Sequence, residues 1–301
     1  MKYYDKILLT LIFLLFSSNC SKENDSAKIG SGFTFSLVKR IKTKPLSVFY
    51  NPIPVDEQYA VFYRNQYDQD ELGLAYLDKN FVVTKDFGVI YKGEDPRTFE
   101  HLSQWYVTDN TLNKNAIIKI DFSNAPPKLT TVYGPNLGVK DYPKGKNPTY
   151  ISHKGELYVV EWFYPLTIYK ISNDFSSVEK VYTGTSQKDD KFRGGTPGYA
   201  TSKEGEYFGF GHYTDKESGV MRHYPFYWKI NMNNFSLNTV IINDIPNQSN
   251  IMDPVTVIKR DNRILLITAE SEKIWFEDQQ YKAGIWSIEF PDNLKDTLKL
   301  Q

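Results

Sequence analysis

Glu94-Asp95-Pro96-Arg97-Thr98-Phe99-Glu100-His101, followed by Gln104-Trp105-Tyr106-Val107-Thr108, reads as a polar residue before a proline, a short turn and an apolar strand. The same succession returns along the chain. The dipeptide recurs as Asn51-Pro52, Asn147-Pro148, Thr196-Pro197 and Asp253-Pro254, at intervals of 44, 52, 49 and 57 residues. Behind each dipeptide lies an apolar run, at residues 59–63, 104–108, 156–160, 206–210 and 263–269. A further run alternates with period two at 72–77, 116–120, 167–171, 224–230 and 284–290, and most repeats add a third at 88–91, 129–133, 178–182 and 238–242. No segment carries a sustained 3.6-residue apolar stripe, so the spacing predicts an all-β chain nearly free of helix.

A repeat of about 50 residues with four strands is the length of one blade of a β-propeller. Five repeats predict a five-bladed β-propeller over residues 33–301. The last repeat lacks a strand after Phe290 and residues 33–38 are a spare strand at the start, so the early strand is expected to pair into the last blade. Proline is poorly tolerated inside a central strand, which predicts that each one opens a strand near the axial mouth. The residue before it is expected to be extended. Five polar side chains then converge on one funnel, the candidate site.

Composition narrows the classes. The 301 residues hold 36 basic and 36 acidic side chains, and a general nucleic-acid binder would carry a basic excess. Aromatics make up 15% of the chain, with 22 Tyr and 19 Phe, which excludes a disordered chain and suits half-buried strands. One cysteine excludes a disulfide framework and a thiolate zinc site. No spacing of His, Asp and Glu along the sequence marks a metal cage, one ion in the central channel being the alternative left open, and no cofactor is expected.

At the N-terminus, Lys2 and Lys6 precede an uncharged apolar run over residues 7–16, followed by Ser17-Ser18-Asn19-Cys20. Such a run, about ten residues, is too short to span a bilayer but fits a secretory signal. The segment resembles a bacterial lipoprotein signal. It implies a signal peptide over 1–19, lipidation at Cys20 and a polar tether over 20–32. Ser21-Lys22-Glu23-Asn24-Asp25 is similar to tags that send lipoproteins to the outer surface, so the expected place is the cell envelope, lipid-anchored at the outer membrane and surface-exposed.

Three stretches carry a resemblance to five-bladed glycoside-active enzymes, closest to glycoside hydrolase family 130, the mannoside phosphorylases and hydrolases. They are Glu94-Asp95-Pro96-Arg97, Lys146-Asn147-Pro148 with Gly155-Glu156-Leu157-Tyr158, and Arg193-Gly194-Gly195-Thr196-Pro197 with Phe210-Gly211-His212. The resemblance implies that Asp95 is the proton donor. It also implies that Arg193 and His212, with Tyr224 near a third contact, fall where the phosphorylases bind phosphate. The phosphorylases also use arginines in the third blade, whereas no arginine lies between Arg97 and Arg193. Lys144 and Lys146 are the cations beside the third dipeptide, and lysine does not replace an arginine fork on an oxyanion. Hydrolysis is therefore expected over phosphorolysis. Asn51 stands where related arabinan- and xylan-cleaving families place an aspartate base, which argues against their chemistry.

Cleaving a glycosidic bond needs a proton on the leaving oxygen and a base or nucleophile on the other face. Asp95 is the expected acid, its structural alternative being a turn aspartate that caps Pro96. For the second carboxylate the sequence offers Glu161, Asp253, Asp109 and Glu270. Glu94 is expected to make a structural pair with a neighbouring strand. Arg97, Asn147, Arg193, Thr196, His212, Tyr224 and Asp253 are the expected substrate contacts, the arginines gripping hydroxyls or an anionic group unless they make interblade ion pairs. Trp105, Trp162 and Tyr164 could stack on a sugar, with blade core as the commoner use of strand tryptophans. The expected function is a surface lipoprotein that hydrolyses a β-mannoside-like oligosaccharide. A non-catalytic glycan-binding propeller is the alternative, and a protein-binding rim a third reading.

Overall fold

The computed structural model describes residues 28–29, 32–41, 47–65, 71–111, 115–134, 145, 147–216, 221–260, 263–272 and 282–295. The expected signal peptide, Cys20, Lys144 and Lys146 lie outside these residues. The described chain is all-β apart from one short helix, α1 (Asp292–Lys295).

Two early strands, β1 (Lys28–Ile29) and β2 (Thr34–Ile41), precede the repeats. The first repeat folds as a four-stranded antiparallel sheet of β3 (Ser47–Val55), β4 (Gln58–Asn65), β5 (Glu71–Leu77) and β6 (Val83–Lys92). The second follows with β7 (Arg97–His101), β8 (Gln104–Asp109), β9 (Ala116–Asp121) and β10 (Lys128–Tyr133). The third is β11 (Thr149–His153), β12 (Glu156–Phe163), β13 (Leu166–Ile171) and β14 (Val178–Thr183). Each is a meander whose turns suit its twist. Leu102-Ser103 joins β7 to β8 with φ of 50° and 59°, and Lys154-Gly155 joins β11 to β12 with 50° and 76°, the left-handed pair a two-residue hairpin requires.

In the fourth repeat, β15 (Phe192–Arg193) and β16 (Tyr199–Ala200) both pair with β17 (Glu206–Asp215), followed by β18 (Arg222–Asn231) and β19 (Ser236–Ile241). The last repeat contains β20 (Ile251–Arg260), β21 (Arg263–Ser271) and β22 (Lys282–Glu289). Its fourth place is taken by β2, which pairs antiparallel with β22 from Thr34↔Glu289 to Ile41↔Ala283. A single parallel bridge, His223↔Ile251, joins the fourth sheet to the last.

Apolar side chains gather between consecutive sheets rather than within one. Ile53, Phe62 and Leu74 meet Val107 and Ile118; Phe99 and Ile117 meet Tyr150 and Val159. Ile151 and Val160 meet Phe226 and Trp228, while Phe208 and Tyr227 meet Met252 and Leu266. The circuit then returns to its start, because Ile258, Ile267 and Ile285 of the last sheet pack on Val61, Ala75 and Leu77 of the first. Burial of this size, at about 25 cal/mol per Å² of apolar surface, is what holds the sheets face to face.

Two expectations about the dipeptides need correcting. Pro96 and Pro148 do precede their strands, but Pro52 and Pro254 lie inside β3 and β20, beside register shifts at Val48/Asn51 and Pro254/Thr256. β3 is the edge of its sheet, and β20 pairs on its outer side with β18 only at Ile251, so a missing N–H on that side at Pro52 or Pro254 costs no ladder bond. Nor is the preceding residue always extended. Asp95 has φ 45° and Asn147 φ 57°, a left-handed backbone that Asp and Asn tolerate better than other non-glycine residues.

Candidate functional site

All five polar residues of the dipeptides, Asn51, Asp95, Asn147, Thr196 and Asp253, are buried. They are tied to one another across the repeats. Asn51 Nδ2 donates to the Pro96 carbonyl at 2.8 Å, and Thr149 Oγ1 donates to the Thr196 carbonyl at 3.3 Å. Gly194 and Gly195 let the fourth repeat's inner loop press on both neighbours. A Cβ on Gly194 would stand 2.2 Å from the Asn147 carbonyl oxygen, and one on Gly195 2.6 Å from that of Pro254.

Asp95 is held at this axis from two sides. Arg64 Nη1, from the end of β4, lies 2.5 Å from its Oδ1, and Asn110 Nδ2 donates to its backbone carbonyl at 2.6 Å. Glu94 stands beside the same arginine, 3.6 Å from Nη2, so it makes the expected structural pair.

Arg97, 2% exposed, lies with its guanidinium carbon 4.6 Å from the Phe49 ring centre. Its Nη1 donates to the Pro96 carbonyl at 2.9 Å, while Nε and Nη2 have no hydrogen-bond partner among the described residues. Burial pushes its pKa down, the charges of Asp95 and Asp253 pull it up, and Arg64 pushes it down again. A guanidinium with such a high ordinary pKa stays charged through this.

Asp253 also lies within electrostatic reach of Arg97. His223 Nδ1 stands 2.6 Å from its Oδ1, and His212 Nδ1 3.6 Å from the same oxygen. The two imidazoles sit diagonally across the β17–β18 pair and stack at 4.6 Å with a 16° interplanar angle. Burial alone would raise the Asp253 carboxyl; the imidazoles, the His223 hydrogen bond and Arg97 outweigh it and hold the group well below the usual carboxylate range. For His212, burial dominates and pushes its pKa down to about 3, so the ring is neutral at physiological pH.

The remaining expected residues divide. Arg193 pairs in register with His212 and is within electrostatic reach of it, its Nε donating to the Asp190 carbonyl at 3.4 Å. Asn147 Oδ1 is buried without a hydrogen-bond partner among the described residues. Thr196 spends its hydroxyl on the protein, accepting from Phe210 N–H and donating to the Pro197 carbonyl, both at 2.9 Å. Tyr224 packs in the core between the third and fourth sheets, opposite Tyr213, while His223 reaches Asp253.

The other acidic candidates have structural partners. Asp109 caps the turn at Glu94 and Thr111. Glu161 accepts from Gly145 N–H at 3.0 Å. Glu270, fully buried, accepts from Arg40, Thr268 and Trp286. Trp105 packs between the first two sheets, and the Tyr164 hydroxyl lies 2.7 Å from Thr239 Oγ1. Trp162 is half-buried with Lys188 Nζ over its ring at 5.3 Å.

No protein-family profile and no curated protein matches the chain in sequence. Solved structures do match in fold. A putative glycoside hydrolase from Parabacteroides distasonis superposes with a TM-score of 0.58 at 11% identity, over 85% of this chain and 96% of that one. A GH43 enzyme from Xanthomonas citri complexed with xylose gives 0.57 at 8% identity, over 88% and 94%. A mannose phosphorylase from Leishmania mexicana in complex with phosphate ion gives 0.56 at 11% identity, over 91% and 90%. The chain thus shares the β-propeller fold of glycoside-active enzymes along most of its length.

Proposed function

We propose that this chain is a five-bladed β-propeller of the glycoside hydrolase family 130 type that hydrolyses glycosidic bonds in a β-mannoside-like oligosaccharide. One observation carries the reading: two buried carboxylates, Asp95 and Asp253, lie within electrostatic reach of the buried Arg97, whose Nε and Nη2 are unpartnered among the described residues. Asp95 gives the proton to the leaving oxygen. Asp253, anionic, takes the accepting side, where one carboxylate can orient water or the sugar hydroxyls. Arg97, Arg193, His212 and Asn147 supply donors and acceptors to the sugar. The return of apolar packing from the last sheet to the first supports a closed ring of five blades spanning 33–301. The N-terminal pattern supports secretion, lipidation at Cys20 and a place on the outer membrane facing outward.

The test is a panel of oligosaccharides incubated with the chain, with and without phosphate, reading released sugars. Release from β-mannosides without phosphate is expected, with loss in Asp95→Asn. Release that requires phosphate would replace hydrolysis by phosphorolysis. A second reading, a glycan-binding propeller without catalysis, is favoured by the Arg64–Asp95 ion pair, which ties up the expected proton donor. It predicts calorimetric saccharide binding with no new reducing ends.

A further inference from the structure

We propose that His212, His223 and Asp253 form a binding site for a single borderline-soft divalent cation of the Zn²⁺ kind; His212 and Asp253 also belong to the candidate glycosidase site, but metal uptake does not depend on that reading. One donor atom from each residue lies within 4.8 Å of the other two. In a tetrahedral zinc site, donors about 2.0–2.2 Å from the metal stand roughly 3.3 Å apart. The observed spacings of 2.6 Å and 3.6 Å to Asp253 Oδ1 bracket that value.

A second observation points the same way. His212 is 1% exposed, and its Nδ1 has no hydrogen-bond partner among the described residues although it faces Asp253. Buried ring nitrogens are ordinarily satisfied, and one left over in front of a carboxylate is a ligand-shaped gap. The geometry is built by the fold. His212 and His223 share one face of the β17–β18 pair, and the bridge His223↔Ile251, with His223 N–H donating to the Asn250 carbonyl at 2.8 Å, draws β20 and Asp253 against them.

The donor set selects the ion. Two imidazole nitrogens and one carboxylate suit Zn²⁺, Co²⁺ or Ni²⁺, whereas Ca²⁺ takes six to eight oxygens. Arg97 lies within electrostatic reach of Asp253 and His212, and Arg193 of His212, so their charges oppose a cation. The expected dissociation constant is therefore on the order of micromolar rather than the tighter value of a structural zinc site.

The test uses the full chain without an affinity tag, stripped with chelator and titrated with Zn²⁺ in equilibrium dialysis, and with Co²⁺ in the visible spectrum. One Zn²⁺ per chain is expected, with d–d absorption from Co²⁺ in a low-symmetry nitrogen and oxygen environment. Binding should weaken at least ~10-fold in His212→Ala and in Asp253→Asn, as removal of one of three ligands requires. His101→Gln, which removes a histidine elsewhere, should bind as the parent does. The Co²⁺ spectrum of the parent needs no variant, so misfolding of a substituted chain does not decide the matter. Absence of Co²⁺ absorption and of Zn²⁺ uptake, binding that survives both substitutions, or preference for Ca²⁺ would overturn the proposal. Because the readout is metal uptake, it is independent of whether any sugar is cleaved.

Discussion

Arg64 Nη1 meets Asp95 Oδ1 at 2.5 Å across the seam between the first and second sheets, at the point where the Asp95 backbone turns left-handed ahead of Pro96. A side chain on one repeat thus fixes the expected acid of the next. Asp95→Asn keeps the shape and a hydrogen bond to Arg64 but removes the transferable proton. If Asp95 is the general acid, turnover falls at least ~100-fold with substrate binding retained. Steady-state rates beside calorimetric saccharide binding would check this, and unchanged turnover would sink the role.

Removing the other partner tests the scaffold. Asp95 is 5% and Arg64 17% exposed in their side chains, so Arg64→Ala leaves a buried carboxylate with one fewer cation. Breaking a buried pair in this way costs about 3–5 kcal/mol, and the partial exposure of Arg64 places the expected loss at the lower end. Denaturant unfolding followed by tryptophan fluorescence measures it. A loss under about 0.5 kcal/mol, typical of a surface pair, would mean that solvent screens this one.

Gly194 tests the close approach of the inner loops. Its Cβ would stand 2.2 Å from the Asn147 carbonyl oxygen and 2.6 Å from Thr149 Oγ1, so Gly194→Ala drives backbone against backbone. Overpacking of that kind costs about 1–3 kcal/mol. Gly184→Ala is the comparison, since its nearest neighbour would be 3.5 Å away, an ordinary contact. The first variant should unfold at clearly lower denaturant than the second; equal midpoints would show that the loop has room to shift.

These residues also show what a linear reading reaches. The strands were legible because period-two alternation and the polar-proline punctuation are local signals, and the residues 33–38 pairing followed from a strand missing at the far end. The site was half legible. Asp95, Arg97 and Asp253 announce themselves by their dipeptides, but Arg64 ends an ordinary alternating strand, and only the stacking of two sheets brings it to Asp95. Tyr224 and His223 differ by one position. With a period of two, that step exchanges the face toward the third sheet for the face toward the last, so the neighbour of the expected residue is the one that meets Asp253. His212, His223 and Asp253 belong to three strands, and no spacing motif spans such a set. Pro52 and Pro254 looked like strand starts because the edge position that tolerates them is a property of the assembled sheet.

Histidines outside the axis give the fold a sign in its pH dependence. His101 and His153 end the innermost strands of consecutive sheets, and each reaches the next: His101 Nδ1 lies 2.8 Å from Ser152 Oγ and His153 Nδ1 3.1 Å from the Tyr207 hydroxyl. Burial lowers the pKa of both; the Asn173 bond opposes it at His101, while Lys154 adds to it and Glu204 and Glu156 oppose it at His153. The unfolded chain, titrating near 6.5, takes up protons that the folded chain refuses. Stability should therefore decline as pH falls below about 6.5. Thermal melts from pH 8 to about 5 should show this limb, to which the buried His212 also contributes, and His101→Gln should reduce its slope without abolishing it. A limb of unchanged slope in that variant would remove His101 from the account.

Glu270 separates a structural carboxylate from a chemical one. It accepts from Arg40 Nε at 2.9 Å, Thr268 Oγ1 at 2.7 Å and Trp286 Nε1 at 2.5 Å, and Ser249 Oγ lies 3.3 Å away. Arg40 belongs to β2 and Trp286 to β22, so the carboxylate fastens the early strand to the last sheet. With every oxygen engaged and none exposed, it is spoken for as a structural acceptor. Glu270→Ala leaves the indole N–H without its acceptor and takes one partner from Arg40, which is 25% exposed and still donates to the Asn247 carbonyl, so the expected cost lies at the lower end, about 3 kcal/mol. Turnover per folded molecule should stay within about twofold, because no reacting group is touched. A rate loss near that of Asp95→Asn, measured under conditions where the variant is folded, would instead make Glu270 the second carboxylate of the reaction.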